Sequence, residues 1–136
     1  MDKSIILNDS EHERFYYEKL EQCRCQDVYH KAIMYCLGLS PDTREHVDHI
    51  YDFELDMIKT ECLHEKWQTS GSVRVVRLAF NLYNGGLPSV STENGQEDCI
   101  EESKLYSVNE IFCCDYAPYF WEAVKIRYPE YSQRKR

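Results

Sequence analysis

Apolar residues recur at helical spacing through most of this chain. Phe15, Tyr16, Leu20 and Cys23 fall three and four residues apart, on one side of a helical turn. Ser10-Glu11-His12-Glu13 just before them has the Ser-x-x-Glu form of a capping box, in which each side chain meets the other residue's free backbone N–H. Together they predict a helix from about 10 to 24. Asp27 can cap a second helix, Val28 to Leu37, which is apolar over most of its circumference and which Gly38 ends. Ser40-Pro41-Asp42 supplies a cap residue, a proline at the first helical position and an acid in the positively polarised first turn. That helix is expected to continue through Val47, Ile50 and Tyr51 and to end between Asp52 and Lys59. Residues 60–70, with Trp67, read as irregular.

Residues 69–86, TSGSVRVVRLAFNLYNGG, form the densest apolar segment. On a helical wheel Arg74, Arg77, Asn81 and Asn84 lie within about 80° of one another, and apolar residues cover the rest of the circumference. Asn84-Gly85 can turn a hairpin, but Val75-Val76 and Leu78-Ala79-Phe80 break the alternation a strand needs. The segment is therefore expected to be a helix over about 72–84, capped by Ser70 or Ser72, stopped at Gly85 or Gly86, and buried along its wide apolar arc. Residues 87–104 are polar and turn-rich and read as an acidic surface loop. Ser107-Val108-Asn109-Glu110 repeats the capping-box form and opens a short helix through Phe112. Asp115 and Pro118 set up a last helix carrying Tyr119, Phe120, Trp121, Val124 and Tyr128, stopped at Pro129, and residues 131–136 end as a short basic tail. The fold expected is all-α: one compact domain over 1–136, with five or six helices around a central buried helix at 72–84.

Composition narrows the function classes. A chain of 136 residues can bury a core without a metal or disulfide to hold it together. The formal charge of −8, from 24 acids and 16 bases, argues against direct binding of nucleic acid, which needs local positive charge. It suits a basic protein partner. Seven cysteines, with an acid where a basic leader region would lie and no apolar run long enough to span a bilayer, point to a cytoplasmic protein with reduced thiols and no membrane association.

The candidate chemistry is sparse. Arginines on a mostly buried helix need partners, and acids are the expected ones. Ser72, Arg74 and Arg77 form an alternative anion site, because a helix N-terminus offers free N–H groups and guanidinium adds paired donors. His46 and His49, three apart beside Asp42, Glu45 and Asp52, share a helix face, but no second cluster at a metal-ligand spacing completes them. Cys62-Leu63-His64 and Cys23-Arg24-Cys25 have one intervening residue rather than the two of a zinc knuckle, and Cys113-Cys114 are adjacent. No catalytic residue, metal ligand or cofactor is assigned, and no nucleophile elbow, phosphate loop or zinc-hydrolase helix is present. A helix-turn-helix over 61–83 ranks third among functions, since its apolar arc is too wide to lie in a groove and the net charge has the wrong sign.

The stretches QDVYHKAIMYCLGLSPDTREHVDHIYDF, TSGSVRVVRLAFNLYNGG and YAPYFWEAVKIRYPEY resemble a family of small proteins associated with mobile elements of gut Gram-positive bacteria. The resemblance implies an accessory or counter-defence role, as in compact acidic inhibitors of CRISPR nucleases, and brings no site residues with it. The leading expectation is a non-enzymatic acidic protein that occludes a basic, nucleic-acid-binding surface of a bacterial effector. Its contact residues would be Glu93, Glu97, Asp98, Glu101 and Glu102 of the loop, with Glu45, Asp48 and Asp52. The alternative is a small-ligand or enzymatic domain built on the Ser72, Arg74 and Arg77 anion site.

Overall fold

The computed structural model describes residues 5–86, 88 and 103–133. Its first two helices are α1 (Ser10–Gln22) and α2 (Val28–Leu37). Two short helices follow, α3 (Pro41–Glu45) and α4 (Val47–Ile50), and then α5 (Ser70–Asn84). The C-terminal part holds α6 (Val108–Ile111), α7 (Ala117–Arg127) and α8 (Pro129–Ser132). Strands β1 (Tyr51–Asp52) and β2 (Met57–Ile58) make one antiparallel hairpin, Tyr51 opposite Ile58 and Asp52 opposite Met57. A 3-10 turn spans Thr60–His64. Among the described residues the fold is all-α apart from that hairpin.

The caps explain where the helices begin. Asp9 rather than Ser10 caps α1, its carboxylate accepting from the His12 amide at 2.8 Å. A carboxylate one residue earlier takes the role because it also complements the positive end of the helix. Asp27 caps α2 as expected, and Ser40 caps α3 with Pro41 in its first turn. The cap of α5 is Thr69, not Ser70 or Ser72. Thr69 and Ser72 satisfy each other's backbone N–H in a capping box, at 3.0 and 2.7 Å. Gly85, with φ of 69°, makes the left-handed stop.

The third expected helix does not run on to Tyr51. It breaks at His46, whose ring donates from Nδ1 to the Asp42 carbonyl and stacks on Trp67 at 4.3 Å. After α4 the Asp52 carboxylate accepts from the amides of Glu54 and Leu55, at 3.0 and 2.9 Å. That local bonding offers the backbone a turn in place of a further helical one. The chain thus forms the Tyr51–Ile58 hairpin where a helix end was expected.

The wide apolar arc of α5 is buried as its pattern requires: Val75, Val76, Leu78, Ala79, Phe80 and Leu82 are buried, and Val73 and Tyr83 partly so. The helix at the centre, however, is α2. Every residue from Ala32 to Leu37 is wholly inaccessible, and α2 packs against α1, α5 and α7. Burying side chains of this size contributes about 1.5–3 kcal/mol each.

Candidate metal centre

The first turn of α2 does more than start a helix. Asp27 Oδ1 accepts from the His30 amide at 2.9 Å, so His30 occupies the third helical position, where its side chain turns back towards the cap. The ring Nδ1 lies 2.7 Å from Asp27 Oδ1. Cys25, two residues before the cap, puts its Sγ 3.2 Å from Asp27 Oδ2 and 3.5 Å from His30 Nδ1. These sulfur contacts are close to the edges, about 3.5 Å, of a tetrahedron built from typical zinc bond lengths. The 2.7 Å between Nδ1 and Oδ1 is instead a hydrogen bond, which leaves Oδ2 as the oxygen beside the sulfur. All three ligand atoms lie within 4.8 Å of one another. His30 is buried, while Cys25 and Asp27 face solvent, so the group is open on its outer side.

The opposite nitrogen of His30 is also held. Nε2 lies 2.7 Å from Asp56 Oδ1, on the turn of the hairpin. The Tyr51 hydroxyl donates to the same oxygen. The Tyr83 hydroxyl, from α5, donates to the Asp56 carbonyl at 3.1 Å and lies 3.4 Å from Oδ1. Both tyrosine rings stand edge-on to the His30 ring, at 6.5 and 5.4 Å between centroids. Arg24 donates to the Glu54 carbonyl and ties the segment carrying Cys25 to the same hairpin. Three separate elements, α2, the hairpin and α5, therefore meet at one imidazole.

The electrostatics follow from this arrangement. Burial pushes the His30 pKa down, but hydrogen bonds to Asp56 and Asp27 outweigh it and leave it raised. Burial pulls Asp27 up, and the hydrogen bonds from the His30 amide, the His30 ring and Cys25 reverse this and hold it at about 2. Asp56 is likewise lowered, with bonds from Tyr51 and His30 overcoming its desolvation. The Cys25 thiol is raised, first through its hydrogen bond to Asp27. Thiol, imidazole and Asp56 follow the order of nucleophile, base and orienting acid. A nucleophilic cysteine nevertheless needs a lowered pKa, and Asp27 works against that here. A cation reverses the sign: beside a bound metal ion a thiol is deprotonated and the carboxylates are matched.

The residues singled out from the sequence are scattered. Ser72 is buried in the cap of α5, its hydroxyl donating to Gln68 at 2.6 Å. Arg74 is held by backbone carbonyls rather than by acids, donating to Glu110 at 2.8 Å and Ser70 at 2.7 Å. Arg77 lies half-buried on the same stripe. Glu45 and Asp48 are exposed on α3 and α4, and the Asp52 carboxylate is engaged in the hairpin. Glu93, Glu97, Asp98, Glu101 and Glu102 lie outside the described residues, as does most of the 87–104 loop. His46 and His49 pack edge-to-face, with His49 3.1 Å from a Glu65 oxygen that also accepts from Trp67. Cys62 is buried, and Cys113 is exposed beside a half-buried Cys114.

The sequence alone points to no metal ligand, whereas the structure gathers Cys25, Asp27 and His30. A signal for them was present. Once Asp27 is taken as a cap, the third helical residue must face it, and Cys25-x-Asp27-x-x-His30 becomes one cluster.

Fold and site together define a small all-α domain with a mixed thiol, carboxylate and imidazole cluster at the N-terminus of its central helix. The chain belongs to DUF6075, a family of unknown function, whose model matches residues 2–136. No curated protein and no solved structure matches it.

Proposed function

We propose that this protein is a metal-ion-binding domain that takes one divalent ion of the zinc class through Cys25 Sγ, an Asp27 carboxylate oxygen and His30 Nδ1. The observation that carries the reading is the convergence of these atoms, with sulfur 3.2 and 3.5 Å from the other two. Sulfur and imidazole donors select zinc, cobalt and related ions over magnesium and calcium, which prefer oxygen alone. Three protein ligands leave a fourth position towards solvent, as in sites where water or another small ligand completes the tetrahedron. When bound, the ion supplies positive charge at a point where the protein offers only donors. Binding displaces the thiol proton and the proton shared between His30 and Asp27.

The net charge of −8 keeps a basic partner compatible with this site. Glu45 and Asp48, the acids of the expected contact surface that are exposed among the described residues, lie on α3 and α4, outside the ligand set.

Titration of the reduced protein with Co2+ tests the metal reading. The expected result is one ion per chain, with the near-ultraviolet absorption of a cobalt–thiolate bond and visible bands of a four-coordinate ion. Zn2+ should abolish both, and Cys25→Ser should remove the thiolate band without loss of helix content, since Cys25 is exposed. Absence of a thiolate band in the wild-type protein would sink the assignment.

A further inference from the structure

We propose that Asp56 is the positioning residue of this metal centre, holding the His30 ring so that Nδ1 faces the ion; the inference rests on the metal reading above. A histidine that binds a metal through one nitrogen commonly donates its other ring N–H to a carboxylate, which fixes the tautomer and makes the ligand more basic. Asp56 Oδ1 lies 2.7 Å from His30 Nε2 and meets that description.

Two further observations separate this contact from an incidental one. Asp56 has φ of 57°, in the left-handed region, and no other non-glycine residue among those described has positive φ. Backbone strain at a non-glycine residue persists where surrounding contacts over-determine it. Here they do: Tyr51 donates to the carboxylate and Tyr83 to the carbonyl of the same residue. The hydroxyls of Tyr51 and Tyr83 are themselves 3.2 Å apart. The carboxylate is thus fixed from the hairpin and from α5 at once, and the ring it orients is 4% exposed. Cys25 and Asp27 are exposed, whereas His30 is buried and its far nitrogen is held by Asp56.

Asp56→Asn is the decisive variant. Asparagine tolerates the left-handed backbone, so the turn is kept and the carboxylate charge is removed. Co2+ binding is measured for wild type and variant at a temperature where circular dichroism shows both folded. Asp56→Asn should weaken the affinity by about 10- to 100-fold, the range for loss of such an outer carboxylate. At saturating metal it should retain the thiolate absorption. Nitrogen-15 spectra of the zinc-loaded proteins should place the His30 proton on Nε2 in the wild type and show that resonance shifted in the variant.

A wild type that binds with a thiolate band and an Asp56→Asn that binds equally well would overturn the role of Asp56 and leave the metal site standing. A wild type with no thiolate band removes both. If Asp56→Asn does not fold, Tyr83→Phe takes its place, because it deletes one donor to Asp56 and keeps the ring. A smaller loss of affinity in the same direction is expected from it, and unchanged affinity would overturn the proposal.

Discussion

His12 accepts from the Asn8 amide on Nδ1 at 3.0 Å and faces the Tyr35 carbonyl through Nε2 at 2.8 Å. Only the neutral tautomer with its proton on Nε2 satisfies both, since a second proton on Nδ1 would meet the Asn8 N–H head-on. Burial lowers the His12 pKa below its ordinary 6.5, against the raising effects of the Tyr35 carbonyl and Asp9 and with a small lowering from Arg44. Between the folded and unfolded pKa values the unfolded chain binds more protons, so stability rises with pH across that window. The contribution of His12 is therefore complete above 6.5 and is lost as the pH falls below it. His12→Gln, whose amide can still donate to Tyr35, removes this titration. The stability gap between wild type and His12→Gln in urea should narrow as the pH is lowered from the neutral range through 6.5. A gap that widens on acidification would contradict the neutral state of His12.

At the scale of elements, two glycines that both end helices do so for different reasons. Gly85 has φ of 69° with nothing near its Cβ position, so alanine there costs only the backbone strain, about 1 kcal/mol. Gly38 has φ of −78°, which any residue adopts. A Cβ at Gly38 would lie 2.7 Å from His12 Cδ2 and 3.0 Å from Phe15 Cδ1, so its absence is what lets α1 lie against the end of α2. Gly38→Ala should cost about 1–3 kcal/mol through overpacking. Urea unfolding of the two alanine variants should rank Gly38→Ala as the more destabilised. The His12 ring resonances should shift in Gly38→Ala and not in Gly85→Ala. Equal losses would mean that α1 moves away without cost. The stop at Gly38 is readable in the sequence, but its reason belongs to His12 and Phe15 of α1, which no local pattern shows.

For the whole molecule, the proposed ion would sit where α2, the hairpin and α5 already converge. An ion that binds the folded chain and not the unfolded one adds about 2.7 kcal/mol when its free concentration is a hundred times its dissociation constant. Zinc at that excess should raise the melting temperature of the reduced wild-type protein and leave Cys25→Ser unchanged. Hydrogen exchange should slow in the hairpin as well as in the first turn of α2, because Asp56 links the two. Protection confined to α2 would mean that the hairpin is not coupled to the site. Among the described residues no helix is long and apolar enough to cross a membrane.

The sequence by itself determined the local elements whose signals are local. Asp27, Ser40-Pro41, Ser107 and Gly85 each mark a helix end through bonds to residues within four positions, and the apolar arc of α5 requires burial whatever covers it. Tertiary structure decided which helix is central, since α2 and α5 are both rich in apolar residues and only packing ranks them. It also decided where the hairpin lies: the Asp52 bonds to Glu54 and Leu55 start the turn locally, and packing seats it against His30 and Tyr83. The candidate site divides along the same line: Cys25, Asp27 and His30 are close in sequence and follow from one cap. Asp56 is 26 residues from His30 and Tyr83 is 27 from Asp56, so their meeting depends on the hairpin and α5 docking beside α2. Contacts at that separation carry no periodic signal, because they are made by packing rather than by the turn of a helix.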